Sequence, residues 1–187
     1  VSSKFLLQGL LDEVEETFYT GIEQVRPGTA FEVTLDGSWT EWSYWSMSAI
    51  PAVQVTDPVG EFRDIFEDAV RLRMRSDVPV GVCLSGGLDS TSIICAMARM
   101  KSGIPVEEAN RLLAFCYMPD EYDEKRYIAG TLEQTRATLK VLETTPHALW
   151  DSLPKFLRYQ DEPVHSMTAL IGYELMRLAA MNGVKVV

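Results

Sequence analysis

The apolar positions of this chain change rhythm near residue 57. Before that point they alternate: Phe31, Val33 and Leu35 recur at every second position, Asp36-Gly37 follows, and aromatic residues crowd the stretch 39–45. Period-two alternation on both sides of an Asp-Gly pair predicts an antiparallel β-hairpin. The three tryptophans and one tyrosine of the second arm suit cross-strand packing, with an aromatic platform for a ligand as the other reading. Residues 5–11 form a short apolar run that reads as helical. Residues 51–58 hold two prolines and no helical period, and read as a linker.

From residue 57 the rhythm lengthens. Asp57 suits an N-cap and Pro58 the first helical position, and Phe62, Ile65, Phe66, Ala69 and Val70 follow at amphipathic spacing. An apolar strand is predicted over 78–84, a helix over 90–100, and a second strand over 112–118. A helix over 123–138 capped by Asp123 and a third strand over 139–143 come next. Two helical stretches follow, broken by Pro154 and Pro163. The last, over 168–182, ends at Gly183, and residues 184–187 begin or complete a fourth strand. Strand and helix alternate throughout 57–187. The expected fold class is α/β, a doubly wound parallel sheet preceded by a small antiparallel hairpin segment. Ligands of such sheets bind beyond the carboxyl ends of the strands, near a topological switch point.

Charge narrows the function classes. The chain has 187 residues and a formal net charge of −10. That balance argues against a broad nucleic-acid footprint and against an anionic membrane surface. Arg71, Arg73 and Arg75 are the one basic cluster, and their alternation along a helix suits a solvated face. No stretch reaches the roughly 18–20 apolar residues of a membrane span, and no leader-like basic and apolar pair opens the sequence. Cys83, Cys95 and Cys116 lack C-x-x-C spacing and read as buried free thiols in a reducing, cytoplasmic compartment. His147 and His165 are isolated and read as surface or hydrogen-bonded core residues.

The chemistry concentrates in Ser85-Gly86-Gly87-Leu88-Asp89-Ser90. A strand feeds this turn and the turn feeds a helix N-terminus. The first N–H groups of a helix lack intrahelical partners and carry the positive end of its dipole, so they attract anions. Gly86 and Gly87 lack a Cβ, so phosphate oxygens can approach the backbone and positive φ is allowed. Ser85 and Ser90 add hydroxyl donors. Asp89 would repel a bare phosphate and makes sense as a ligand to Mg²⁺ carried on the phosphates. The string is no Walker A loop, because Thr91 and Ser92 follow where a lysine would be required. A plain Gly-Gly turn capped by Asp89 or Ser90 is the bland alternative.

The turn resembles the PP-loop of ATP pyrophosphatases, and two stretches together resemble the glutamine-hydrolysing asparagine synthetase family. Ser76-Asp77-Val78-Pro79-Val80-Gly81-Val82-Cys83-Leu84 runs into the turn as in the family's S-D-V-P-x-G-x-x-L-S-G-G-L-D-S block. Thr17-Phe18-Tyr19-Thr20-Gly21-Ile22, followed by Arg26-Pro27-Gly28, is similar to the segment closing the family's glutaminase domain. Weaker echoes are Phe115-Cys116-Tyr117, Tyr122-Asp123-Glu124, Asp161-Glu162-Pro163 and Gly183-Val184-Lys185-Val186-Val187.

The resemblance implies a division at residue 55. Residues 1–55 would be the tail of a glutaminase domain, and 56–187 the first part of an ATP-dependent synthetase domain. ATP would adenylate the side-chain carboxylate of aspartate, and ammonia from glutamine would displace AMP. Ser85, Gly86, Gly87, Asp89 and Ser90 would hold pyrophosphate and Mg²⁺, while Leu84 and Tyr117 would flank the nucleotide. Tyr117 is larger than the aliphatic residue usual there. The family's N-terminal cysteine nucleophile and its S-G-x-G-x-D-E loop have no counterpart in 1–187, so the chain is expected to be a fragment that is inactive alone. The expected partners are small molecules (ATP, aspartate, and glutamine or ammonia), and a homodimer is a candidate assembly of the parent. A relative acting on another carboxylate, such as an amidotransferase or a β-lactam-forming synthetase, is an alternative. A non-catalytic nucleotide-binding scaffold is another.

Overall fold

A computed structural model describes residues 2–9, 14–101, 112–119, 124–164 and 166–187. The chain divides into two compact units, Val1–Thr56 and Asp57–Val187.

The first unit contains helix α1 (Ser2–Gln8) and a hairpin of strands β1 (Thr29–Val33) and β2 (Trp39–Ser43). The strands pair antiparallel, Thr29 opposite Ser43 and Val33 opposite Trp39. The register follows from the turn. The Thr34 N–H donates to the Ser38 carbonyl at 2.9 Å, and Gly37 takes φ +84°, a conformation that glycine adopts without strain. Asp36 accepts from the Thr34 hydroxyl and from the Ser38 N–H. These hydrogen bonds, that of Thr34 foremost, hold its carboxyl below the usual carboxylate range. Phe31 and Trp39 meet edge to face at 6.0 Å, the aromatic pairing expected across a hairpin.

The second unit opens with helix α2 (Pro58–Arg73), whose N-cap Asp57 accepts from the Gly60 N–H at 3.0 Å. Strands β3 (Gly81–Cys83), β4 (Leu113–Cys116) and β5 (Thr138–Val141) then form a parallel sheet in the order β3-β4-β5. Helices α3 (Leu88–Met100), α4 (Lys125–Thr135), α5 (Pro146–Gln160) and α6 (Thr168–Met181) complete it. Val186 bridges Val80 in parallel, and the Gly81 N–H reaches the Val186 carbonyl at 2.8 Å. β3 therefore has β4 on one side and the chain near Val186 on the other. This contact is a single bridge rather than a full strand over 184–187.

Alternation along the strands builds a core on each face of the sheet. Val82, Leu84 and Ala114 pack with Ile94, Met97 and Ile128 of α3 and α4. Phe115 points the other way, onto Ala179 of α6 and Val184 just after it. Gly81 is required here, since a Cβ would lie 2.7 Å from the Phe115 ring and 3.1 Å from Val184.

The strands are shorter than the apolar runs suggest. Pro79 cannot donate to a ladder, and the Val78 N–H bonds the Ser76 hydroxyl at 3.2 Å, so residues 76–79 bend ahead of β3. α4 starts at Lys125, with Glu124 as its cap, and ends at Arg136 in the left-handed region (φ +56°), which lets β5 begin at Thr138. The expected cap Asp123 lies outside the described residues. Pro154 does not break α5 as its type suggests. Leu149, Leu153 and Phe156 pack continuously against Leu170 of α6, and that burial outweighs the one backbone hydrogen bond the proline removes. The helix ends at Asp161 (φ +59°), ahead of Pro163.

Cys116 is buried, but Cys83 and Cys95 are only half-buried, a correction to the expectation of three buried thiols. Cys83 lines an opening at the end of β3. Arg71 pairs with Asp68 on an exposed face of α2, and Arg73 donates to the Ala69 carbonyl at 3.1 Å. His147 is exposed, 3.6 Å from Asp151, and His165 lies outside the described residues. Among the described residues, no helix is long and apolar enough to cross a membrane.

Candidate nucleotide site

The turn at residues 85–90 is built by its own hydroxyls. The Ser85 N–H donates to Ser90 Oγ at 3.2 Å, and the two serine hydroxyls lie 3.1 Å apart. The Gly87 N–H donates to Ser85 Oγ at 3.3 Å, and Ser90 Oγ donates to the Gly87 carbonyl at 3.3 Å. These bonds draw the backbone into a loop directly over the N-terminus of α3. They also explain a buried orphan. Thr91 Oγ1 has no partner among the described residues, because the carbonyl one turn back, that of Gly87, already accepts from the Thr91 N–H and from Ser90 Oγ.

The two glycines do different work. Gly86 takes φ +81°, and a Cβ there would fall 3.0 Å from Glu124 Cβ and 3.2 Å from the Glu124 carbonyl. Gly87 is extended (φ −71°, ψ 164°) and is the N-cap of α3, without a side chain to fill the cap. The start of α4 thus lies against Gly86, and the N-termini of α3 and α4 converge on the same turn. Both aligned backbones bring positive ends there.

Leu84 is buried, with its N–H bound to the Phe115 carbonyl at 2.8 Å. Leu84, Ser85 and Tyr117 line one cavity of about 350 Å³ at the carboxyl ends of β3 and β4. Gly86, Gly87 and Ser90 form the adjoining turn. Asp89 is exposed on the first turn of α3, makes no ion pair among the described residues, and does not line the cavity. The structure adds Lys125 from α4 and Thr168 and Ile171 from α6 to the cavity wall. Lys125 had a signal in the sequence, as it follows the Tyr122-Asp123-Glu124 echo. Thr168 and Ile171 had none, because their approach depends on how α6 packs on β4.

Burial pushes the Cys83 thiol up, and burial and then the neighbouring Cys83 do the same to Cys116. Both stay protonated at neutral pH and neither is an activated nucleophile. A larger hollow, about 690 Å³, lies at the amino ends of the strands, between Ser76, Lys101, Thr138 and Lys140. It lacks the turn and the converging helix N-termini, so the smaller cavity is the better site for an anion.

Comparison with known proteins agrees with this geometry. The family model described as asparagine synthase matches residues 61–187. The asparagine synthetase [glutamine-hydrolyzing] 1 of Bacillus subtilis (strain 168) is 27% identical over 154 residues, covering 80% of this chain and 23% of that protein. The asparagine synthetase [glutamine-hydrolyzing] of Sandersonia aurantiaca is 36% identical over 114 residues, 59% of this chain and 20% of that protein. The amidase chry2 of Gibberella zeae (strain ATCC MYA-4620 / CBS 123657 / FGSC 9075 / NRRL 31084 / PH-1) is 25% identical over 185 residues, 91% of this chain and 28% of that protein. The matched stretches span 20–28% of the length of these relatives. The family match begins inside α2 and takes in the whole sheet and the 85–90 turn, and on it the chain belongs to the asparagine synthase family.

Proposed function

We propose that this chain carries the ATP-activating site of a glutamine-hydrolysing asparagine synthetase. In that reading a carboxylate oxygen of aspartate attacks the α-phosphorus of ATP and pyrophosphate leaves. Ammonia from glutamine then attacks the acyl carbon, and AMP leaves with its oxygen. Residues 56–187 are the synthetase portion, with the PP-loop fold, and residues 1–55 the closing part of the glutaminase portion. ATP and three free thiols suit a cytoplasmic setting.

The observation that carries the reading is the 85–90 turn at the head of α3. Gly86 and Gly87 keep side-chain bulk away from the head of α3, so the β- and γ-phosphates can approach the backbone there, and the Ser85 and Ser90 hydroxyls, bonded to one another and to the turn's own backbone, would exchange those bonds for phosphate oxygens. Leu84 and Tyr117 offer apolar surface for the base. Asp89 fits a magnesium ion: Mg²⁺ takes one or two carboxylates and fills the rest of its shell with water and phosphate oxygens. Bound there, the ion would neutralise phosphate charge. A cavity of about 350 Å³ is within the ordinary range for a small-molecule site.

A second reading keeps the adenylating site and changes the acceptor. The similarity to an amidase covers 91% of this chain, and Tyr117 lines the cavity where the resemblance implies a smaller aliphatic residue. A relative acting on another carboxylate would share the 85–90 turn, because the ATP chemistry is the same.

Calorimetric titration of Mg·ATP into the chain and into Asp89→Asn tests the reading. Asp89→Asn keeps shape and removes charge, so binding should weaken by about tenfold or more, roughly the 1.4 kcal/mol of one metal-bridged contact. Equal affinity in both proteins would refute the role of Asp89.

A further inference from the structure

We infer that the Lys125 ammonium binds the phosphate chain of the nucleotide, from the wall of the carboxyl-end cavity that it shares with Ser85. The inference rests on the nucleotide reading above and adds a residue that the 85–90 motif does not contain.

Position is the first argument. Lys125 is the first residue of α4, and the residue before it, Glu124, is packed against Gly86. The start of α4 is therefore set beside the turn by backbone packing. Lys125 and Ser85 line the same cavity.

Charge is the second. The charged residues lining that cavity are Glu124 and Lys125, and Asp89 lies on the adjoining turn. The whole chain carries −10. A nucleoside triphosphate stays anionic even with one divalent ion bound. Neutral donors from the turn and the partial charges of two helix N-termini leave that excess uncompensated. Among the described residues, Lys125 is the one cationic side chain in the wall. Its compact charge on a flexible stem suits a phosphate oxygen.

The other cations close by in sequence or among the strands do not line this cavity. Arg126 lies over the Tyr127 ring at 4.6 Å and donates to its hydroxyl at 2.7 Å. Lys101 and Lys140 line the hollow at the opposite end of the strands.

The test is calorimetry on the full chain with three probes: Mg·ATP, magnesium pyrophosphate and adenosine. Lys125→Met should weaken Mg·ATP and pyrophosphate by about tenfold, the size of one charge-assisted hydrogen bond. It should leave adenosine unchanged. Lys125→Arg should retain most of the phosphate affinity, and the Lys125→Met deficit should shrink as salt rises. Matched melting temperatures show that the variants fold, and Lys125→Arg carries the comparison if Lys125→Met does not. Wild-type affinity for all three probes in Lys125→Met would overturn the inference. So would equal losses for adenosine and ATP, which indicate a structural role. If Asp89→Asn loses Mg·ATP while Lys125→Met keeps it, only Lys125 is wrongly assigned. If the unmodified chain binds neither Mg·ATP nor pyrophosphate, the nucleotide reading fails and Lys125 falls with it.

Discussion

At the scale of single residues, the sequence treats Gly86 and Gly87 alike and the structure separates them. Both lack a Cβ, and as residue types both suit the approach of a phosphate. Only Gly86 sits at positive φ, and only there would a side chain meet Glu124 of the next helix. Gly86→Ala should therefore destabilise the fold by about 1–3 kcal/mol, through backbone strain and a displaced α4. Gly87→Ala meets only the Ser85 hydroxyl, at 3.3 Å, and should cost well under half of that. Urea unfolding of both variants, followed by circular dichroism, checks the order. Equal losses would mean that the contact with Glu124 is unimportant. Such splitting is invisible in a six-residue string, because φ and a neighbour from another element are tertiary facts.

At the scale of elements, the second unit was largely legible. The Asp57-Pro58 start of α2, the strand before the turn, α3 and the Gly183 end of α6 all follow from caps and apolar spacing. So does the hairpin at Asp36-Gly37. Strand ends were less legible, since apolar runs extend past the residues that pair. Proline was the misleading signal. Pro154 lies inside α5 because the apolar face on either side of it is anchored on Leu170. Pro154→Ala should restore the missing backbone bond and raise stability by about 2 kcal/mol, less the entropy gained by the unfolded chain. Thermal unfolding would show it as a higher midpoint. A lower midpoint would mean that the proline shapes α5 for its contact with α6. Of the residues that line the cavity, Leu84, Ser85 and Tyr117 were picked out from the sequence, while Thr168 and Ile171 were not, because their place depends on a helix more than 75 residues beyond the turn.

At the scale of the molecule, the proposed function asks an acidic chain to hold an acidic ligand. The net charge of −10 makes the surface unfavourable to a nucleotide, so binding has to come from a local field. On the proposed reading that field lies at the carboxyl ends of the strands, where the starts of α3 and α4 meet at the 85–90 turn and Lys125 lines the cavity with Ser85. The larger hollow at the amino ends has two lysines but no such turn. Function therefore turns on which end of the sheet takes the ligand. Backbone amide chemical shifts, recorded by nuclear magnetic resonance as Mg·ATP is added to the full chain, decide this directly. The largest changes are expected at Ser85, Gly86, Gly87, Ser90 and Tyr117. Changes centred on Lys101, Thr138 and Lys140, with the 85–90 turn unmoved, would contradict the proposed reading.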